Sequence, residues 1–136
     1  MTFDLAPELK RDCEFVLDMD LCQVHLLNDK RFPWLVLVPT VPEVTEVFDL
    51  EEEDQVLLTL EVNFVAKVLK DLTGCTKINI GSLGNMVSQL HMHVVARNAD
   101  DCAWPGPVWG AGQAVPYSET ELKQMKADLQ LALDYD

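Results

Sequence analysis

The stretch Gln89-Leu90-His91-Met92-His93-Val94-Val95 carries two of the protein's three histidines, two residues apart. Side chains on a strand alternate between faces. Leu90, Met92 and Val94 therefore point one way, and Gln89, His91 and His93 the other. The pattern predicts a strand over residues 89–96 with one face in a core and a row of nitrogen-bearing groups on the other. Imidazole can be a nucleophile, an acid or base, or a metal ligand near neutral pH. Chemistry is expected on that row.

Outward from this strand, the flanking segments read as an α+β chain. Residues 76–80 form a strand, and Gly81-Ser82-Leu83-Gly84-Asn85 a turn leading into the histidine strand. Upstream lies the strongest helix, with Asp49 as N-cap, acidic residues 51–53 in its first turn and Gly74 as its stop. Its apolar arc is wider than the stripe of about 100° that one sheet face covers. A second buried surface follows, with the flank carrying Leu58, Val62 and Leu69 as its candidate; which flank faces the sheet and which the second surface stays open at this point. Residues 34–38 are apolar on both faces, as a central strand would be, and a strand over 22–27 precedes them across the turn Asn28-Asp29-Lys30. Near the N-terminus, Pro7 suits the first turn of a short helix over residues 6–15. Residues 100–117 hold Trp104, Trp109 and several Pro and Gly, which predicts a structured loop rather than a linker. Ser118 and Glu121 then form a capping box for a C-terminal helix reaching about residue 133. Neither a repeat nor a second domain is legible.

The chain has 136 residues, 49% of them hydrophobic, which fits one domain with one sizeable core. Its net charge of -13 and pI near 4.4 repel long polyanions, so no nucleic-acid partner is expected. A small phosphorylated ligand is compatible, because local amides and imidazoles outweigh the distant field. The longest apolar run, residues 32–39, is far short of the ~20 residues a membrane-spanning helix needs. Four widely spaced cysteines without a C-x-x-C pair, behind an acidic N-terminus with no signal-peptide pattern, predict reduced thiols and a cytoplasmic location.

Three segments together resemble the histidine-triad (HIT) superfamily. The signature His-φ-His-φ-His-φ-φ, with φ apolar, is similar to Gln89–Val95 with the first histidine replaced. The Gly-Gln-(Ser/Thr)-Val segment before it resembles Gly84-Asn85-Met86-Val87. The strand ending in Asn or Asp, followed by Leu-Val-φ-Pro, resembles Asn28 and the run ending at Pro39. The resemblance is strongest over residues 20–97. It implies an α+β fold, an antiparallel meander with helices on one face, one long helix and a C-terminal helix. It implies a small nucleotide substrate attacked at its α-phosphate, and a homodimer formed through the long helix.

The resemblance assigns His91 as the nucleophile, forming a phosphoimidazole that water or another acceptor cleaves. His93 would donate to phosphate oxygens and stand as a candidate proton source for the leaving group, and Gln89 would orient by hydrogen bonding. Asn28 matches the position that holds the ribose hydroxyls, and Asn79, Gly84 and Asn85 lie where the phosphates pass. The implied activity is a nucleotide phosphohydrolase or transferase acting on a dinucleoside polyphosphate, a nucleoside phosphoramidate or a related adenylated compound. No resident cofactor is implied, although a divalent cation could ride on the substrate's phosphates. Three departures stand out: Gln89 cannot be protonated, Met86 replaces a leaving-group hydroxyl, and Trp34 stands where relatives often carry histidine. Two other readings remain open at this point. One is a non-catalytic nucleotide-binding module. The other is a metal site in which His25 supplies a third imidazole. Otherwise His25, between Val24 and Leu26, reads as structural.

Overall fold

Strand β3, Trp34–Pro39, is buried at all six residues and sits in the middle of a five-stranded sheet. The structure is a computed structural model and describes residues 2–134. In chain order the elements are α1 (Pro7–Asp12), β1 (Cys13–Asp18), β2 (Cys22–Leu27), β3, a 3-10 turn (Val47–Asp49), α2 (Glu52–Thr73), β4 (Lys77–Gly81), β5 (Met92–Arg97) and α3 (Glu119–Ala132). The strand order is β1-β2-β3-β5-β4 and every pairing is antiparallel. The first three strands form a meander. The histidine strand β5 then pairs with β3 and leaves β4 at the edge.

The two faces of the sheet bury different clusters. Leu35, Leu37, Val94 and Ala96 face α2 and α3, meeting Leu58, Val62, Val65, Leu69 and Leu129. Trp34, Val36, Val38 and Val95 face the other way, under Leu9 of α1, Phe32 and Val108. Helices therefore lie on both faces, not one, because α1 and the loop before α3 cover the side that carries the histidines. The continuous apolar run of β3 follows from this double coverage.

Local signals fix several boundaries. Gly74 ends α2 in the left-handed region (φ 65°), where a side chain would be strained. Ser118 and Glu121 form the capping box of α3. Asp49 caps the 3-10 turn rather than α2, whose N-cap is Glu51. The N-terminal helix stops at Asp12, and residues 13–18 form strand β1 instead of its last turn. Cys13 to Asp18 pair with β2 residue by residue except at an irregularity near Val16, and this ladder overrides the helical reading. The histidine strand begins at Met92, so Gln89, which lies at a bend, Leu90 and His91 lead into it without belonging to it.

Helix α2 carries a buried carboxylate. Glu61 is 5% exposed and its two oxygens accept from the amides of Leu21 and Cys22, each at 2.9 Å. It thereby satisfies the turn between β1 and β2 from inside the core. Glu61→Ala would strand two buried amides and open a cavity, so a loss of about 2–4 kcal/mol in urea unfolding is expected. A loss below about 0.5 kcal/mol would contradict this role.

Candidate active site

β5 and the segment leading into it hold His91 and His93 on the face away from α2. Both are buried, and their rings meet edge to face with centroids 4.8 Å apart. Each imidazole is fixed in one tautomer by a partner of single character. His91 Nδ1 lies 2.6 Å from the Gln89 carbonyl oxygen. A carbonyl only accepts, so Nδ1 carries the proton and Nε2 presents a lone pair. His93 Nδ1 lies 2.9 Å from Trp34 Nε1. An indole only donates, so Nδ1 is the acceptor and the proton sits on Nε2. The pair therefore offers one nucleophilic nitrogen and one N–H donor, side by side. Burial, then the neighbouring His91, pushes the His93 pKa down to about 4. Ser82 donates its hydroxyl to the His91 carbonyl at 2.9 Å and holds the segment from the other side.

Two tryptophans frame His93. Trp34 and Trp109 meet it edge-on at 5.6 and 5.5 Å and cross each other at 6.2 Å. Trp109 reaches this position because Gly81, opposite His93 in the ladder, has no side chain. A Cβ there would come within 2.9 Å of the indole. Gly81 thus makes room for an aromatic ring from the loop before α3. Trp104 lies instead over the Arg97 guanidinium at 5.8 Å.

The tryptophans form one wall of a cavity of about 790 Å³, which Asn28, Arg31, Asn85 and Met86 also line. The loop before α3, which carries Trp109, lines it as well and is tied down by the β2–β3 turn. Asp29 receives Arg31 at 2.8 Å and the Val115 amide at 3.3 Å, Arg31 reaches the Ala111 carbonyl, and Asn28 Oδ1 accepts from the Tyr117 amide at 2.9 Å. Burial raises the Asp29 pKa, but these donors outweigh it and hold the carboxyl below its usual range. Arg31 also meets the Cys102 thiol, a neighbour that sequence distance conceals.

Of the residues named from sequence, Asn28 and Asn85 line the cavity, while His93 meets the two tryptophans that line it and His91 meets His93. Gly84 shapes the loop beside the cavity with φ 78°. Two residues go elsewhere. The Asn79 side chain accepts through Oδ1 from Arg97 at 2.8 Å and does not line the cavity. The Gln89 side chain accepts from the Ala6 amide and donates to the Asp4 carbonyl, both at 2.9 Å. It fastens the N-terminal segment and leaves the orienting of His91 to its backbone oxygen. His25 is two strands from His93, with Val36 between them, roughly 10 Å away. It bonds Gln23 at 3.0 Å and packs on Phe15, as a structural histidine would. A third imidazole is therefore not assembled, and among the described residues no group of three His, Cys, Asp or Glu could hold a metal ion. Trp34, Trp109 and Ser82 were missed as site residues. Trp34 stood out in the sequence as a departure from the resembled pattern and Trp109 as a tryptophan of the loop over residues 100–117, whereas Ser82 carried no signal beyond its place in a turn.

A family model described as HIT domain matches residues 8–100. The chain belongs to the HIT domain family. A histidine-triad protein from Sinorhizobium meliloti is 50% identical, with TM-score 0.94 over 96% of this chain and 97% of that one. Another from Bradyrhizobium japonicum is 39% identical, with TM-score 0.95 over 98% and 99%. A diadenosine triphosphate hydrolase from Plasmodium falciparum, at 18% identity and TM-score 0.63 over 91% and 75%, shares the fold. No curated protein matches significantly. The histidine-triad α+β architecture expected from the sequence is thus the one observed. Among the described residues no helix is long and apolar enough to cross a membrane.

Proposed function

We propose that this histidine-triad protein is a nucleotide hydrolase or transferase that attacks the α-phosphate of its substrate through a nucleotidyl-His91 intermediate. The observation that carries this is the 2.6 Å bond from His91 Nδ1 to the Gln89 carbonyl. In the neutral ring it puts the proton on Nδ1 and leaves Nε2 with the lone pair that a nucleophilic imidazole requires. In the first step Nε2 bonds to phosphorus and the leaving group departs with its electron pair. In the second, water bonds to phosphorus, the P–N pair returns to Nε2, and the water's proton passes to solvent. His93 Nε2–H stabilises the negative phosphate oxygens beside it. Asn28 and Asn85 supply amides in the cavity, and Gly84 turns the loop that carries Asn85. A panel of adenylated compounds offered to the purified protein tests the reading. Nucleoside monophosphate release from at least one supports it, and nucleotide binding without turnover of any would show a binding module instead. No resident metal is assigned; a divalent ion would act on the substrate's phosphates, and protein purified without added metal should hold no stoichiometric zinc. A cytoplasmic site of action accords with four free cysteines.

We also propose a homodimer, with a corrected surface. Leu58, Val62 and Leu69 are buried against the sheet and cannot be shared. The apolar residues that α2 leaves outside are Val56 and Leu60, at 61% and 60% exposure, with Leu72 behind them. Ile80 on the edge strand β4 is also exposed. A two-fold axis beside this face would use each residue twice. Light scattering should give about 30 kDa, twice 15.3 kDa. Leu60→Glu should yield a folded monomer, and a wild-type monomer at high micromolar concentration would defeat the claim.

A further inference from the structure

We propose that Trp34 makes the site specific for phosphoanhydrides, whose leaving group departs as a phosphate anion, and closes it to phosphoramidates, whose amine must be protonated to leave. The inference rests on the nucleotidyl-histidine reading above and goes on to name the substrate class.

Cleavage of a P–N bond to an amine expels a strongly basic amide anion unless a proton arrives with it. Cleavage of a phosphoanhydride expels a phosphate whose conjugate acid has a pKa of about 6, so no proton is needed. The question is whether any group at the site can deliver one. Gln89 does not titrate, and its side chain is spent on Asp4 and Ala6. His93 could serve as an acid only as imidazolium, with protons on both nitrogens. Its Nδ1–H would then point at the Trp34 indole N–H 2.9 Å away, a donor against a donor. A histidine at position 34 could turn an acceptor towards it; an indole cannot. The low pKa of His93 agrees with this geometry.

Every other charged group facing the site fails as well. His91 packs against His93 and is assigned to attack through Nε2, not to donate; among the described residues no other titratable group is recorded against His93. The rest of its surroundings are Trp34, Trp109, Gly81 and Val36, none of which titrates. In the cavity, Asp12 is held below the usual carboxylate range by Arg11, and Asp29 is held there by Arg31 and two backbone amides. Both are therefore ionised. The two arginines do not give up protons. The Ser82 hydroxyl is committed to the His91 carbonyl. With an anhydride the electron balance closes without an acid: the His91 lone pair forms the P–N bond and the P–O pair leaves on the phosphate oxygen. The phosphorylated imidazole keeps its Nδ1 proton, carries positive charge, and is itself expelled as a neutral ring.

Trp34 acts through His93 and is a positioning residue, so its test needs a readout beyond rate. The wild-type protein is given a diadenosine polyphosphate and an adenosine 5′-(N-alkyl)phosphoramidate, both with the same nucleotide to transfer. We expect kcat/KM for the anhydride to exceed that for the phosphoramidate by about 100-fold or more, the usual worth of general acid catalysis. Nitrogen-15 NMR should show His93 neutral, with its proton on Nε2, from pH 8 down to pH 5. Trp34→His should narrow the preference about ten-fold and introduce a rise in phosphoramidate cleavage towards acid. Equal wild-type use of both substrates, or a His93 titrating near the ordinary value of about 6.5, overturns the proposal while nucleotide trapped on His91 leaves the enzymatic reading intact. Failure to react with either substrate refutes that reading and the preference with it, and the NMR titration of the wild type still decides whether His93 is clamped.

Discussion

His91→Ala is expected to abolish turnover, lowering kcat by at least about 10⁴-fold, while nucleotide affinity stays within a few-fold of wild type. The asymmetry follows from where the groups lie. The cavity is lined by Asn28, Asn85, Arg31 and the two tryptophans, which are the groups assigned to holding the nucleotide. The bond that His91 forms exists only along the reaction path, so its loss falls on kcat and not on KM. His93→Ala should cost less, about 10²-fold, because it removes one donor to developing charge without removing the nucleophile. Isothermal titration with a nucleoside monophosphate, beside steady-state kinetics, separates the two quantities. Wild-type activity in His91→Ala would refute the assigned mechanism.

Asp101→Ala should be the most destabilising single change outside the apolar core, at about 3–5 kcal/mol. Arg97 is 1% exposed, and Asp101 receives its Nε at 2.8 Å and its Nη2 at 3.0 Å. The same carboxylate accepts from the amides of Asn98, Ala103 and Trp104. Removing it leaves a buried guanidinium without its counter-ion and frees the turn that starts the loop towards Trp109. The pH dependence follows from the same contacts. The Arg97 bonds foremost, aided by the backbone amides, hold Asp101 down to about 2. The folded-state pKa lies below the unfolded one, so this stability is fully present above about pH 4 and is lost as pH falls through about 2. Urea unfolding at pH 7 and pH 3 should show the wild type weakening on acidification and Asp101→Ala weakening much less. Equal slopes would remove Asp101 from the account.

The parts of this molecule that sequence revealed are those decided by short range. Alternation through Leu90, Met92 and Val94 placed the histidines on one face because a strand's period is a backbone property. The unbroken apolar run of β3 identified a doubly covered strand for the same reason. Gly74 and the Ser118/Glu121 box set helix ends that depend on three or four residues. What stayed hidden depends on partners far along the chain. β1 looked like the tail of a helix because its ladder with β2 is invisible within residues 6–18. The wide apolar arc of α2 was legible, yet which flank met the sheet was not, and Leu58, Val62 and Leu69 turned out to be core. Gln89 reads as a weakened triad residue until the N-terminal segment, 83 and 85 positions away, is seen hydrogen-bonded to it. Trp109 enters the site from a loop with no counterpart in the triad signature, through the space left by Gly81. The chemistry of the histidine row was therefore readable, and the environment that selects among its uses was not.

The central claim is a covalent bond between His91 and the substrate's α-phosphorus, and intact-mass spectrometry of rapidly quenched protein tests it most directly. The protein is mixed with a diadenosine polyphosphate and quenched in alkali, which preserves phosphoimidazoles. A mass increase of one adenylyl group, mapped by peptide fragmentation to His91, lost in acid and absent from His91→Ala, is the predicted result. Turnover with no such adduct at any quench time, or an adduct mapped to another residue, would contradict it.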